Sequence, residues 1–198
     1  MPLAFALAFA GLAFADWAAV ATRARRLEYA AKPAALAVLV ICAVRDGGSA
    51  WLVAALALSL AGDVFLMLPG DRFVPGLAAF LLAHVAYVAA FRAPAAVRLG
   101  WFVAALVVTA PLGLRILRAA APELRGAVAA YMAAIALMVA SALASGIRLA
   151  ALGAILFLVS DSLIAWDRFV GPHPWSAVAI IVTYHLGQLG LVAGLLGS

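Results

Sequence analysis

A chain of 198 residues in which 69% are apolar and only 11% are charged lies outside the balance of soluble domains and inside that of membrane proteins. Its net charge of +5 comes without basic residues interleaved with aromatics on one surface, which argues against nucleic acid as a partner, and the lone Cys42 excludes an intrachain disulfide. At about 20 apolar residues per crossing, the length holds eight spans with short loops and no separate soluble domain, so residues 1–198 read as one all-α integral membrane domain of eight transmembrane helices.

The first span, 2–22, is apolar from Leu3, with no basic leader or small-residue cleavage site, and reads as a retained helix. It carries Asp16, which reads first as a tilted-helix residue reaching the interface. The second span, 29–44, is the shortest; Glu28 and Lys32 sit in its first turns, and Lys32, beside Pro33, can snorkel to the headgroups. Spans 49–68 and 73–91 carry Asp63 and then His84, with Tyr87 one turn further on. Spans 99–117 and 123–144 are nearly all apolar. Span 148–166 carries Ser160, Asp161 and Ser162, and span 174–196 carries Tyr184, His185 and Gln188. Trp17, Trp51, Trp101, Trp166 and Trp175 all fall near span ends, where an aromatic belt belongs.

Loops 1, 3, 5 and 7 hold Arg23, Arg25, Arg26, Lys32, Arg72, Arg115, Arg118, Arg125 and Arg168, against Arg45, Arg92, Arg98 and Arg148 in the other three. Because basic residues favour the cytosolic face, this bias puts the odd loops in the cytosol and both termini on the far side. Two stretches also resemble each other. Gly62-Asp63-Val64-Phe65-Leu66 followed by Asp71-Arg72-Phe73-Val74 finds its counterpart, half a chain later, in Ser160-Asp161-Ser162-Leu163-Ile164 followed by Asp167-Arg168-Phe169-Val170. Each copy precedes a span with a central histidine. The candidate repeat, 1–98 and 99–198, spans four helices and so preserves direction, giving two parallel four-helix halves and a shared central site.

An ionisable group in mid-span costs about 2.5–3.5 kcal/mol on insertion, so such groups face protein or a cavity. At 1.5 Å per residue, Asp63 and Asp161 lie roughly 8 Å from the cytosolic ends of their spans and His84 and His185 roughly 16 Å, with Asp16 and Lys32 near the depth of the aspartates. His84 with Tyr87, and Tyr184, His185 and Gln188 together, read equally well as interhelical hydrogen-bonding groups. Asp71 and Asp167 read as turn residues. For Asp63 and Asp161 the matching positions favour chemistry over structure.

Lys32-Pro33, GDVFLML at 62–68, GLAAFLLAHVAY at 76–87, FLVSDSLIAWDRF at 157–169 and YHLGQLGL at 184–191 resemble, in order and over essentially the whole chain, the YhhN-like lysoplasmalogenase family. The resemblance implies hydrolysis of the vinyl ether bond of a lysophospholipid to a fatty aldehyde and a glycerophospho-base, without a cofactor. The residues suit that chemistry. Vinyl ethers cleave by protonation of the β-carbon and capture of the oxocarbenium ion by water, so the reaction needs an acid and an anion, which two carboxylates can divide. Asp63 and Asp161 are the catalytic candidates, with His84, Tyr87, Tyr184, His185, Gln188, Ser160 and Ser162 as supporting polar groups. Lys32, Arg72 and Arg168 are expected to hold the substrate phosphate at a cavity mouth in the cytosolic leaflet. Asp63, Asp161, His84 and His185 are suitable zinc ligands by type, but the roughly 8 Å offset in depth between carboxylates and imidazoles counts against a metal. A serine nucleophile lacks a G-x-S-x-G elbow. Proton-coupled transport is the competing class. Twelve Arg to a single Lys, with heavy Ala usage, suggest a GC-rich bacterial genome and hence the bacterial cytoplasmic membrane.

Overall fold

The computed structural model describes residues 2–197. Its eight helices are α1 Leu3–Thr22, α2 Arg25–Arg45, α3 Ala50–Met67, α4 Phe73–Ala90, α5 Ala95–Ala119, α6 Arg125–Ser145, α7 Arg148–Phe169 and α8 Ser176–Leu196, with a 3₁₀ turn at Pro122–Leu124 leading into α6. Among the described residues all eight are long and apolar enough to cross a membrane, and the chain is an all-α integral membrane protein. Large apolar side chains such as Leu7, Phe14, Ile41, Val44, Val107 and Val108 stay exposed on these helices, where hydrocarbon rather than water surrounds them.

The helix ends follow local stereochemistry. Arg23 takes the left-handed conformation, φ 59°, that closes α1, and the N–H groups of Arg23 and Ala24 return to the carbonyls of Val20 and Ala19. Ser49 caps α3 by accepting from the Leu52 N–H at 3.2 Å. Three boundaries differ from those expected by three residues or more. α2 starts at Arg25 instead of 29, since no Gly or Pro lies between Arg25 and Glu28, so Lys32 sits two turns inside its helix and not one. α5 starts at Ala95, directly after Pro94, which moves Trp101 two turns inward from the interface. α7 continues past 166 to Phe169, because the first breakers are Gly171 and Pro172.

The chain divides into two compact units, one running through Ala90 and including the segment from Val192 onward, the other Phe91–Leu191. In the first, α1 packs on α2, α2 on α3 and α3 on α4. Glycine lets α3 and α4 approach: a β-carbon at Gly62 would lie 2.6 Å from the Phe80 ring, and one at Gly76 would lie 2.6 Å from the Leu66 side chain. In the second unit α5 packs chiefly on α6, and α6 on α7.

Helices α7 and α8 meet backbone to backbone. A β-carbon on Gly153 would stand 2.6 Å from the Leu191 nitrogen and 2.7 Å from the Gly187 carbonyl oxygen, and β-carbons on Gly187 and Gly190 would meet the α7 backbone at 3.0 and 2.9 Å. The Ser160 hydroxyl adds a bond to the Ile180 carbonyl at 3.1 Å. Backbone cannot move aside as a flexible side chain can. Gly153→Leu is therefore expected to destabilise the protein by about 1–3 kcal/mol or more, read as a lower melting temperature in detergent; an unchanged melting temperature would show that the two helices have room to spare.

Candidate active site

In the first unit the site grows from a register between two antiparallel helices. The Tyr29 hydroxyl on α2 donates to the Met67 carbonyl at the end of α3, 2.7 Å away, and the Arg25 guanidinium donates to that hydroxyl at 3.1 Å while lying 5.5 Å from the ring centroid. One turn inward along α2 is Lys32, and one turn inward along α3 is Asp63. The Tyr29 clip thus brings them together, and the Lys32 ammonium lies 3.0 Å from the Asp63 carboxylate, with side chains 15% and 1% exposed. Asp16 on α1 is fully buried and within electrostatic range of both Lys32 and Asp63. It is a member of this charged cluster and does not reach the interface, which corrects the first reading of that residue. Lys32 was expected to hold the substrate phosphate, but its ammonium is engaged by a carboxylate. His84 and Tyr87 are fully buried on α4. Arg72 is exposed, and Asp71 accepts from the Phe73 N–H at 3.2 Å, the turn role read from the sequence.

In the second unit Asp161, buried on α7, accepts a hydrogen bond from the Tyr131 hydroxyl of α6, itself buried. Ser160 ties α7 to α8 through the Ile180 carbonyl, so its hydroxyl has structural work. Ser162 is half-buried and lines a groove on the other side of the helix. On α8 the Gln188 amide donates to the Tyr184 hydroxyl at 3.3 Å, Tyr184 meets Phe157 edge-on at 5.3 Å, and the His185 ring lies 5.7 Å from that of Tyr184. The Ser176 hydroxyl stands between two acceptors, the Asp167 carboxylate and the His173 carbonyl 2.9 Å away, and its one proton fastens the α7–α8 loop. Arg168 is exposed at the helix end. Among the described residues no three His, Cys, Asp or Glu side chains gather as a metal site would require.

Tyr29 and Tyr131 are the site residues that the sequence reading missed. The chain has only four tyrosines, and Tyr131 falls inside a span described as nearly all apolar. A phenol at that depth needs a hydrogen-bonding partner, which was the available signal.

Eight membrane-spanning helices, with a lysine-paired carboxylate buried in the first unit and a tyrosine-bonded one in the second, define a polytopic membrane protein with intramembrane polar groups in each unit. Within that class the chain belongs to the YhhN family, whose profile matches residues 27–195. It is 36% identical over 147 residues to lysoplasmalogenase TMEM86B of Homo sapiens, covering 74% of this chain and 64% of that protein. Over 169 residues it is 34% identical to the Rattus norvegicus protein of the same name, covering 84% and 71%. A lysoplasmalogenase of Mycobacterium tuberculosis is 35% identical over 155 residues, covering 73% and 59%. The chain thus spans roughly three-fifths to seven-tenths of the length of these relatives. No solved structure matches it.

Proposed function

We propose that this protein is a membrane-embedded hydrolase that cleaves the vinyl ether bond of a lysoplasmalogen, or of a related lysolipid, to a fatty aldehyde and a glycerophospho-base. The observation that carries this reading is the unlike surroundings of two buried carboxylates, one facing an ammonium and the other a phenol. Such a difference lets two like groups take opposite roles in one reaction. Asp63, beside Lys32, is the anion that stabilises the oxocarbenium ion and orients water. Asp161 is the proton donor, with one of its oxygens fixed by Tyr131 so that the carboxyl group keeps a single orientation.

The steps balance. Asp161 protonates the β-carbon of the alkenyl chain, and the electron pair of the double bond forms the new C–H bond, leaving an oxocarbenium ion. Water adds at the α-carbon and returns a proton to Asp161, giving a hemiacetal. Collapse of the hemiacetal breaks the bond between that carbon and the glycerol oxygen, the hydroxyl proton passes to the departing oxygen, and aldehyde and glycerophospho-base are released. His84, Tyr87, Tyr184, His185 and Gln188 supply polar surroundings for the transferred water and proton, and Arg72 and Arg168 serve the phosphate.

We place the chain in a bacterial cytoplasmic membrane with both termini on the non-cytosolic side, on the excess of basic residues in the loops after α1, α3, α5 and α7. The two halves are read as a parallel duplication on the paired Asp motifs. Purified protein incubated with lysoplasmalogen in detergent micelles should release fatty aldehyde. A proton-coupled carrier, the competing class, needs two compartments and would release none, and that outcome would reject the hydrolase reading.

A further inference from the structure

The second unit contains a groove that none of the roles above uses. Because α5 rests chiefly on α6, it leaves a cleft of about 440 Å³ against α7, walled by Val108, Thr109 and Leu112 on one side and by Leu158, Val159 and Ser162 on the other. On α7 the lining residues Leu158, Val159, Ser162, Leu163 and Trp166 form one stripe about 12 Å long. The Thr109 hydroxyl is turned back onto its own helix, donating to the Ala105 carbonyl at 2.8 Å, so the walls are almost wholly apolar.

The groove is chemically different at one end. There the Arg115 guanidinium lies 4.9 Å from the centroid of the Trp166 ring, His173 stacks on Trp166 at 6.3 Å and 15°, and Trp175 stacks on His173 at 5.5 Å and 5°. This ladder stands at the helix end and in the following loop, and Arg115 and Trp175 are exposed. A fixed cation and a wall of aromatic rings suit an anionic headgroup at the membrane interface, while the cleft beyond suits hydrocarbon. The shape is that of an amphiphile with one tail.

We propose that the α5–α7 groove binds a single-chain phospholipid, with the hydrocarbon tail along Val108, Leu112, Leu158 and Val159 and the phosphate on Arg115 beside the Trp166–His173–Trp175 ladder. The choice of a single-chain lipid rests on the hydrolase reading; the amphiphilic form of the groove does not. Occupancy would hold a lysolipid with its head at the interface and its chain alongside the helix that carries Asp161.

The test measures binding of 1-O-hexadecyl-glycerophosphocholine, a saturated ether that cannot be cleaved, to the protein in nanodiscs. Leu112→Trp should fill the cleft and weaken binding by roughly tenfold or more, and Val108→Trp, at a position already exposed to lipid, should do the same if the first variant is unstable. Arg115→Gln should weaken binding by roughly tenfold, and that loss should vanish with 1-O-hexadecyl-glycerol, which has no phosphate. Unchanged binding in both tryptophan variants would overturn the proposal, as would equal displacement of the probe by a two-chain phosphatidylcholine. The two readings separate because the probe is not a substrate. If wild type releases no aldehyde from lysoplasmalogen yet shows this binding pattern, the groove stands and the hydrolase reading falls. If it releases aldehyde while the variants bind normally, the reverse holds.

Discussion

Asp63→Asn and Asp161→Asn, made one at a time, are each expected to remove most aldehyde release while the protein still inserts and purifies. Asparagine keeps the shape of aspartate but carries neither the acidic proton nor the charge. General acid catalysis contributes about 10²–10⁴-fold, so a loss of that order is expected at Asp161. Loss of the anion at Asp63 acts on the oxocarbenium ion and should fall in turnover more than in the Michaelis constant. Tyr131→Phe should be milder, because it removes only the bond that orients Asp161. Near-normal turnover in a well-folded Asp63→Asn or Asp161→Asn variant would end the two-carboxylate mechanism.

The second large effect is expected at Lys32. Its ammonium contacts an Asp63 side chain that is only 1% exposed, so Lys32→Met leaves a buried carboxylate without its cation. Breaking one side of a buried pair typically costs about 3–5 kcal/mol, and melting in detergent should show a loss of that size together with a fall in turnover. Adding Asp63→Asn to Lys32→Met should recover stability, since the stranded charge is gone, but should not recover activity. If Lys32 instead holds the substrate phosphate, stability should be unaffected. The Michaelis constant alone should then rise, and the defect should disappear with an alkenyl glycerol that has no phosphate.

The register that makes this pair explains why the sequence reading stopped short of it. Lys32, Asp63 and Asp16 were all visible as charges within spans at similar depth. The contact of Lys32 with Asp63 depends on which faces of α2 and α3 meet, and Tyr29 decides this by bonding the Met67 carbonyl. An apolar helix has little amphipathic pattern from which to read a face, because lipid and protein interior are equally apolar. For the same reason Tyr131 passed as an ordinary residue of an apolar span, although it reaches Asp161.

By itself the sequence determined the class, the eight helices and the family, because each depends on properties that run along the chain: apolar length, basic loops, and motifs in order. Asp63 and Asp161 also stood out, since a charge within hydrocarbon is costly wherever its helix turns. Only the tertiary structure decided the partners. It gave Lys32 to Asp63, Tyr131 to Asp161 and Ser160 to the α8 backbone, and it opened a groove between α5 and α7. Each of these is a relation between helix faces. Where α7 meets α8 the relation rests on glycine contacts such as Gly153 with Gly187, and where α2 meets α3 on the Tyr29 bond, so a missing β-carbon or a single hydroxyl, and not a hydrophobic pattern, fixes how two helices pack.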